Sequence, residues 1–131
     1  MSNYNTIRAA LGAAVQSFQP ELNIYYFIPR TLVPPAAIVQ PRPQRTVSYL
    51  TAQTSRAAEW YFNIMVVVGQ IDEQAAQERT GDLISPGSPL LQALNGKVGN
   101  GYAQVVDGSI SEMTFGTALY TYARLSVTVT A

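Results

Sequence analysis

The chain has 131 residues, with eight basic and eight acidic side chains and neither histidine nor cysteine. That length sets one domain, spanning 1–131, with room for a substantial core. The missing residue types exclude histidine- or cysteine-based triads, thiol chemistry, disulfides and the common zinc sites, and a formal charge of zero argues against a protein built mainly to bind naked nucleic acid.

Charged residues make up 12 % of the chain and tyrosine is plentiful, with 8. Ordinary soluble domains carry about 25 % charged residues, so this balance suggests a surface covered in good part by other protein chains. No basic leader precedes an apolar core at the N-terminus. The longest apolar run covers only residues 9–15, far short of the ~20 residues of a spanning helix, so a soluble chain is expected.

In residues 5–18, Ile7, Ala10, Leu11, Ala14, Val15 and Phe18 recur at helical spacing. Asn5 or Thr6 serves as cap, Pro20 stands beyond the end, and Gly12 lies off the stripe where another element can approach. Residues 22–28 (LNIYYFI) read as a strand stopped by Pro29. Residues 30–35 form a turn, and a short strand over 36–40 ends at Pro41 and Pro43, which suits a sheet edge. From 42 to 56 the pattern loosens, with Arg42, Arg45 and Arg56 set around Val47, Tyr49 and Leu50. A connection of that length is read as an extended, hairpin-like arm whose partner is another chain, or as a surface loop.

The central element is 59–69, EWYFNIMVVVG. Positions 58, 60, 62, 64, 66 and 68 are apolar at period 2, while the other face starts polar at Glu59 and Asn63 and turns apolar at Met65 and Val67. This predicts the longest strand of the sheet, in a central place. Asp72 then caps a helix over 72–85, with Ile71 placed for a hydrophobic staple. Its outer face carries Asp72, Glu73, Glu78 and Asp82. Ser88-Pro89 opens a short helix over 89–94 that ends at Asn95-Gly96.

Residues 97–101 (KVGNG) read as a turn-rich link. Strands follow over 109–115 and 118–130, the second alternating cleanly between Leu119, Thr121, Ala123, Leu125, Val127, Val129 and the intervening Tyr120, Tyr122, Arg124, Ser126, Thr128, Thr130. Whether 104–106 pairs with 109–111 across Asp107-Gly108 as a hairpin is left open. The order α-β-β-β-α-α-β-β predicts an α+β fold: a mostly antiparallel sheet of about five strands with two to three helices packed on one face.

No catalytic constellation emerges, and no enzyme activity, cofactor or metal is expected. Lys97, the lone lysine, sits in a glycine-rich turn unsuited to a buried base. A phosphate loop ending at Gly96-Lys97 would need glycine at Leu91 and Ser or Thr at Val98, and a dinucleotide fingerprint from Gly99 would need glycine at Gln104. The helix acids read as a solvated face, and Tyr49 alone among the arginines of 42–56 is a weak nucleic-acid signal.

Together the N-terminal IRAALGAAV, the segment PPAAIV, the strand WYFNIMVVVG, the helices DEQAAQERTGDLISPGSPLLQAL and the terminal YARLSVTVTA resemble the tail terminator family of long-tailed (siphovirus-type) bacteriophages, especially those of actinobacterial hosts. Likeness covers nearly the whole chain and is least over 42–56 and 95–108. The resemblance implies a non-enzymatic virion protein, made in the host cytoplasm. It would form a six-fold ring on the head-proximal end of the tail tube, between the tube protein and a head-closure stopper protein, with DNA only in transit through the lumen and no membrane contact. A head-closure stopper or tail-tube protein of the same virion is the nearest alternative. A small-ligand-binding domain with a pocket lined by Tyr25, Trp60 or Tyr122 is a distant one.

Ring closure needs two different patches that fit each other. The candidates are the basic arm (Arg42, Arg45, Arg56, with Tyr49 and Leu50 for buried area) and the acidic helix face (Asp72, Glu73, Glu78, Asp82).

Overall fold

The computed structural model describes residues 4–49, 58–68, 73–99, 101–115 and 118–131. The element order is α1 (Tyr4–Phe18), β1 (Asn23–Tyr25), β2 (Ala36–Pro41), β3 (Val47–Tyr49), β4 (Ala58–Val67), α2 (Glu73–Ile84), α3 (Pro89–Leu94), β5 (Gly96–Val98), β6 (Gly101–Phe115) and β7 (Ala118–Thr130). The fold is mixed α+β. Its sheet runs β1-β2-β4-β7-β6-β5, with β3 beside β4 as a seventh strand, more than the five expected. Among the described residues only β1 and β2 pair in parallel; the other pairs are antiparallel.

β4 is the hub: one face is apolar from Ala58 to Val66 and the other turns apolar at Met65 and Val67, so its C-terminal part has the pattern of a covered central strand. One edge takes β7 from Glu59 to Val67. The other edge is shared: β3 pairs with Ala58–Trp60 and β2 with Phe62–Val67. Between them the Arg42 N–H donates to the Tyr61 carbonyl at 2.9 Å, and the Tyr61 N–H to the Thr46 carbonyl at 2.8 Å. The described part of the 42–56 stretch therefore finds its backbone partner in its own β4.

Period-2 alternation divides the core in two. Phe62, Ile64 and Val66 of β4 join Leu125, Val127 and Val129 of β7, Ile7, Leu11 and Val15 of α1, and Leu90 and Leu94 of α3 in one buried cluster. Leu83 and Ile84 of α2 pack against it. On the opposite face Met65 and Val67 join Ile38, Leu32, Tyr120 and Tyr122 in a smaller cluster. Within α1, Gly12 is buried under Tyr26: a Cβ there would strike the Tyr26 ring and hydroxyl, so the missing side chain is what lets the segment after β1 lie against the helix.

Several boundaries differ from expectation. β1 stops at Tyr25 rather than at 28, and Phe27 and Ile28 are exposed. The expected link at 97–101 is instead largely strand: Lys97 and Val98 belong to β5 and Gly101 opens β6, with Val98 opposite Gly101, and Gly99 takes φ 59°. No turn forms at Asp107-Gly108. β6 passes straight through, and the register shift between Val105 and Asp107 absorbs Val106 as a bulge.

Two polar side chains fix the helix ends. The Ser88 hydroxyl accepts from the Leu91 N–H at 3.2 Å, capping α3, and donates to the Leu83 carbonyl at 2.7 Å, tying α3 to α2. Asn95 Oδ1 accepts from the Val105 N–H at 2.8 Å, holding β6 just past its pairing with β5. No helix among the described residues is long and apolar enough to cross a membrane.

Candidate interaction surface

The basic arm lies at the N-terminal end of β4. The guanidinium carbons of Arg42 and Arg45 each sit 5.0 Å from the Tyr61 ring centroid. Tyr61 in turn donates its hydroxyl to Glu59 Oε2 at 2.8 Å. A cation over an aromatic ring contributes about 0.5–1 kcal/mol at exposed sites, enough to hold both charges against the sheet without neutralising them. Gln44, between the two arginines, takes φ 74°, the sharp turn that folds Arg45 back toward Tyr61. Tyr49, at the end of β3, is 76 % exposed. Leu50 and Arg56 lie outside the described residues.

The acidic helix lies elsewhere. Asp82 and Arg79 of α2 line a pocket of ≈ 280 Å³ with Leu83, Gln19 just after α1 and Val66–Val68 at the C-terminal end of β4. Glu78 accepts from Gln74 Nε2 at 3.3 Å, one turn back along α2. Asp72 is outside the described residues, and of Glu73 only the backbone, opening α2, is described. Arm and acids are thus held apart along β4 by roughly 17–23 Å, at about 3.3 Å per residue. They also differ in face: Tyr61 shares the side of Asn63 and Met65, whereas Leu83 packs with Phe62, Ile64 and Val66. Among the described residues the two patches do not meet within one molecule.

The face bearing Tyr61 holds a feature that sequence reasoning missed. Cross-strand register places Gln40, Asn63, Ser126 and Asp107 in one row across four strands. Asn63 and Ser126 in that row are buried, and Asn63 Oδ1 is enclosed with no hydrogen-bond partner. A buried acceptor left bare costs about 1–3 kcal/mol, so this is a stability loss in the middle of the central strand. Beside it opens a pocket of ≈ 200 Å³. The sequence signal was present, a lone Asn in an apolar strand, but only the register shows what it faces.

The aromatics named for a small-ligand pocket do not converge. Trp60 packs with the Phe62 cluster, Tyr25 and Tyr122 with the Met65 cluster on the other face. No group of three or more acidic residues able to hold a metal occurs among the described residues.

No protein-family model matches the chain, and no curated protein matches it. Among solved structures, one superposes over 98 % of this chain and 96 % of its own length, with a TM-score of 0.52 at 21 % sequence identity. Identity that low shows a likeness of fold alone.

Proposed function

We propose that this chain is a structural, non-enzymatic virion protein. Copies close into a ring, six-fold by the resemblance, that caps the head-proximal end of a phage tail tube, ends tube polymerisation and joins the tail to the head-closure complex. In this reading the three helices lie along a single face of the sheet and brace it, while the strand ends and the opposite face meet neighbours. The partners are further copies of the chain, the tube protein and the stopper protein, with DNA passing through the lumen.

The observation that carries the proposal is the separation of two complementary patches. Arg42 and Arg45 are displayed over Tyr61 at one end of β4, and Asp82 stands by Val66–Val68 at the other. Such patches can satisfy each other only between copies, which is the heterologous contact a closed ring requires. Exposed ion pairs contribute only about 0.2–1 kcal/mol each. Charge therefore sets the register of neighbours, and apolar area around the exposed Tyr49 supplies adhesion. The 15-residue α1 favours a terminator over the stopper and tube alternatives, which tend toward β-barrels with less helix near the N-terminus.

Electron microscopy of purified protein mixed with growing tail tubes tests the proposal. The expected image is a ring seated on one tube end, with tube lengthening arrested. Tubes that grow unchanged beside a protein that stays monomeric would overturn it.

A further inference from the structure

We infer that copies of this chain join by strand addition: β3 of one copy pairs antiparallel with the outer edge of β6 of the next, and Tyr49 seats in the pocket beside Gly108. The inference rests on the reading that copies associate through two different patches, and it adds a backbone contact to the charged one.

The two edges are in phase. Ala58 and Ala131 exchange both backbone bonds, at 2.8 and 3.0 Å, so the even residues of β4 and the odd residues of β7 turn their N–H and C=O groups toward each other. The even residues of β7 therefore turn theirs to β6. Past the bulge the register sets Asp107 opposite Ser126 and Ser109 opposite Arg124, so Gly108, Ile110, Glu112 and Thr114 present their backbone groups outward. β5 covers only Gly101–Ala103 of that edge, and the Asn95 side chain takes the Val105 N–H. Among the described residues no strand lies beyond, and residues 106–110 are exposed. On the far side of the sheet the odd residues of β4 face β3. Ser48, opposite Glu59, therefore bonds inward, while Val47 and Tyr49 present their backbone groups to an edge with no described strand beside it. Such outward rows are templates for another strand.

Side chains choose the occupant and the register. β4 and β7 stand between β3 and β6, so the two edges meet only between copies. Past the bulge β6 carries Asp107 and Glu112 and no basic residue, whereas the described arm carries Arg42 and Arg45 and no acidic one. Opposite charges favour β3 as the partner over a second β6, which would set acids beside acids. Placing Val47 opposite Ile110 pairs two apolar side chains, brings Arg45 abreast of Glu112 and sets Tyr49 opposite Gly108. Gly108 borders a pocket of ≈ 210 Å³ walled by Ile84, Pro86 and Leu91. The Tyr49 ring, 76 % exposed in its own copy, covers that pocket because the glycine opposite has no side chain to exclude it, the cross-strand use of an aromatic over an edge glycine.

The test uses the absence of native cysteine. Full-length Ser48→Cys and Ser109→Cys chains are mixed, oxidised in air and read by non-reducing mass spectrometry. In the inferred register these two positions face each other as a non-hydrogen-bonded pair, with Cα atoms about 4.5 Å apart, inside the range a disulfide spans. The expected product is a one-to-one covalent heterodimer, with homodimers of either variant alone roughly tenfold rarer. In sedimentation, Ile110→Pro removes one outward donor and leaves the bonds to β7, and should weaken association of the chain roughly tenfold or more. Val47→Pro does the same from the β3 side and gives the answer if Ile110→Pro fails to fold. Ser109→Cys homodimers in equal yield would overturn β3 as the occupant. A parent that associates while the mixture gives no heterodimer, or while both proline variants associate as it does, would overturn the strand contact and leave the assembly reading standing. A parent that stays monomeric, alone and with tail tubes, would overturn both.

Discussion

The two faces of β4 and β7 share one backbone and are built to different ends. On one, Phe62, Ile64, Val66, Leu125, Val127 and Val129 are apolar without exception and lie in the same cluster as the inward sides of α1 and α3. On the other, Tyr61, Asn63, Met65, Tyr122, Arg124 and Ser126 mix apolar, polar and charged groups, and Asn63 is buried with an acceptor unmet. The first face is a continuous apolar core. The second is also largely buried within the chain, with Met65, Val67, Tyr120 and Tyr122 in a smaller cluster, but it carries a buried acceptor without a partner, which lowers stability.

The contrast can be broken most severely on the packed face. Phe62→Ala empties a fully buried site that also stacks on Tyr4 at 5.7 Å, and should cost about 3–5 kcal/mol, read as a lower denaturation midpoint in urea. Ser88→Ala removes the cap of α3 and the bond to the Leu83 carbonyl. A loss of about 1–2 kcal/mol is expected, measured the same way. Asn63→Leu sharpens the comparison from the other side. Removing the bare acceptor should leave stability within about 1 kcal/mol of the parent, or raise it, whereas a loss beyond about 2 kcal/mol would show that Asn63 holds the fold. The smallest effect is expected at the arm, where Gln44→Gly relieves a left-handed backbone and should gain about 0.5 kcal/mol after the entropy of glycine is counted.

Much of the packed face was legible in the sequence because period 2 and period 3.6 speak directly about burial. The last strand falls at 118–130 as its alternation predicts, and the short helix at 89–94 follows from Ser88-Pro89 and Asn95-Gly96. The central strand is shifted by a residue or two, from 59–69 to Ala58–Val67, and at 10 residues it is not the longest, being shorter than β6 and β7. β6 was read only in part. Gly101, Asp107 and Gly108 argue against a strand locally, yet the long edge of β7 pairs with the segment throughout, so tertiary pairing overrides weak propensity. The arginines of the arm were visible as charge. That they stack on Tyr61 was not, because Tyr61 sits between Trp60 and Phe62 and its direction depends on strand parity and on where the turn at Gln44 returns the chain. Asn63 stood out as polar, but its missing partner is a property of three strands in register, which no single stretch of sequence contains.

Charge exchange between the two patches tests the central claim most directly. Native mass spectrometry would compare the parent chain, the arm-reversed Arg42→Glu/Arg45→Glu chain, and a chain that also carries Glu78→Lys/Asp82→Lys. The expected outcome is a closed ring for the parent, folded monomers for the arm-reversed chain, and a ring again when both patches are reversed together. Rings from all three, or from none, would contradict it.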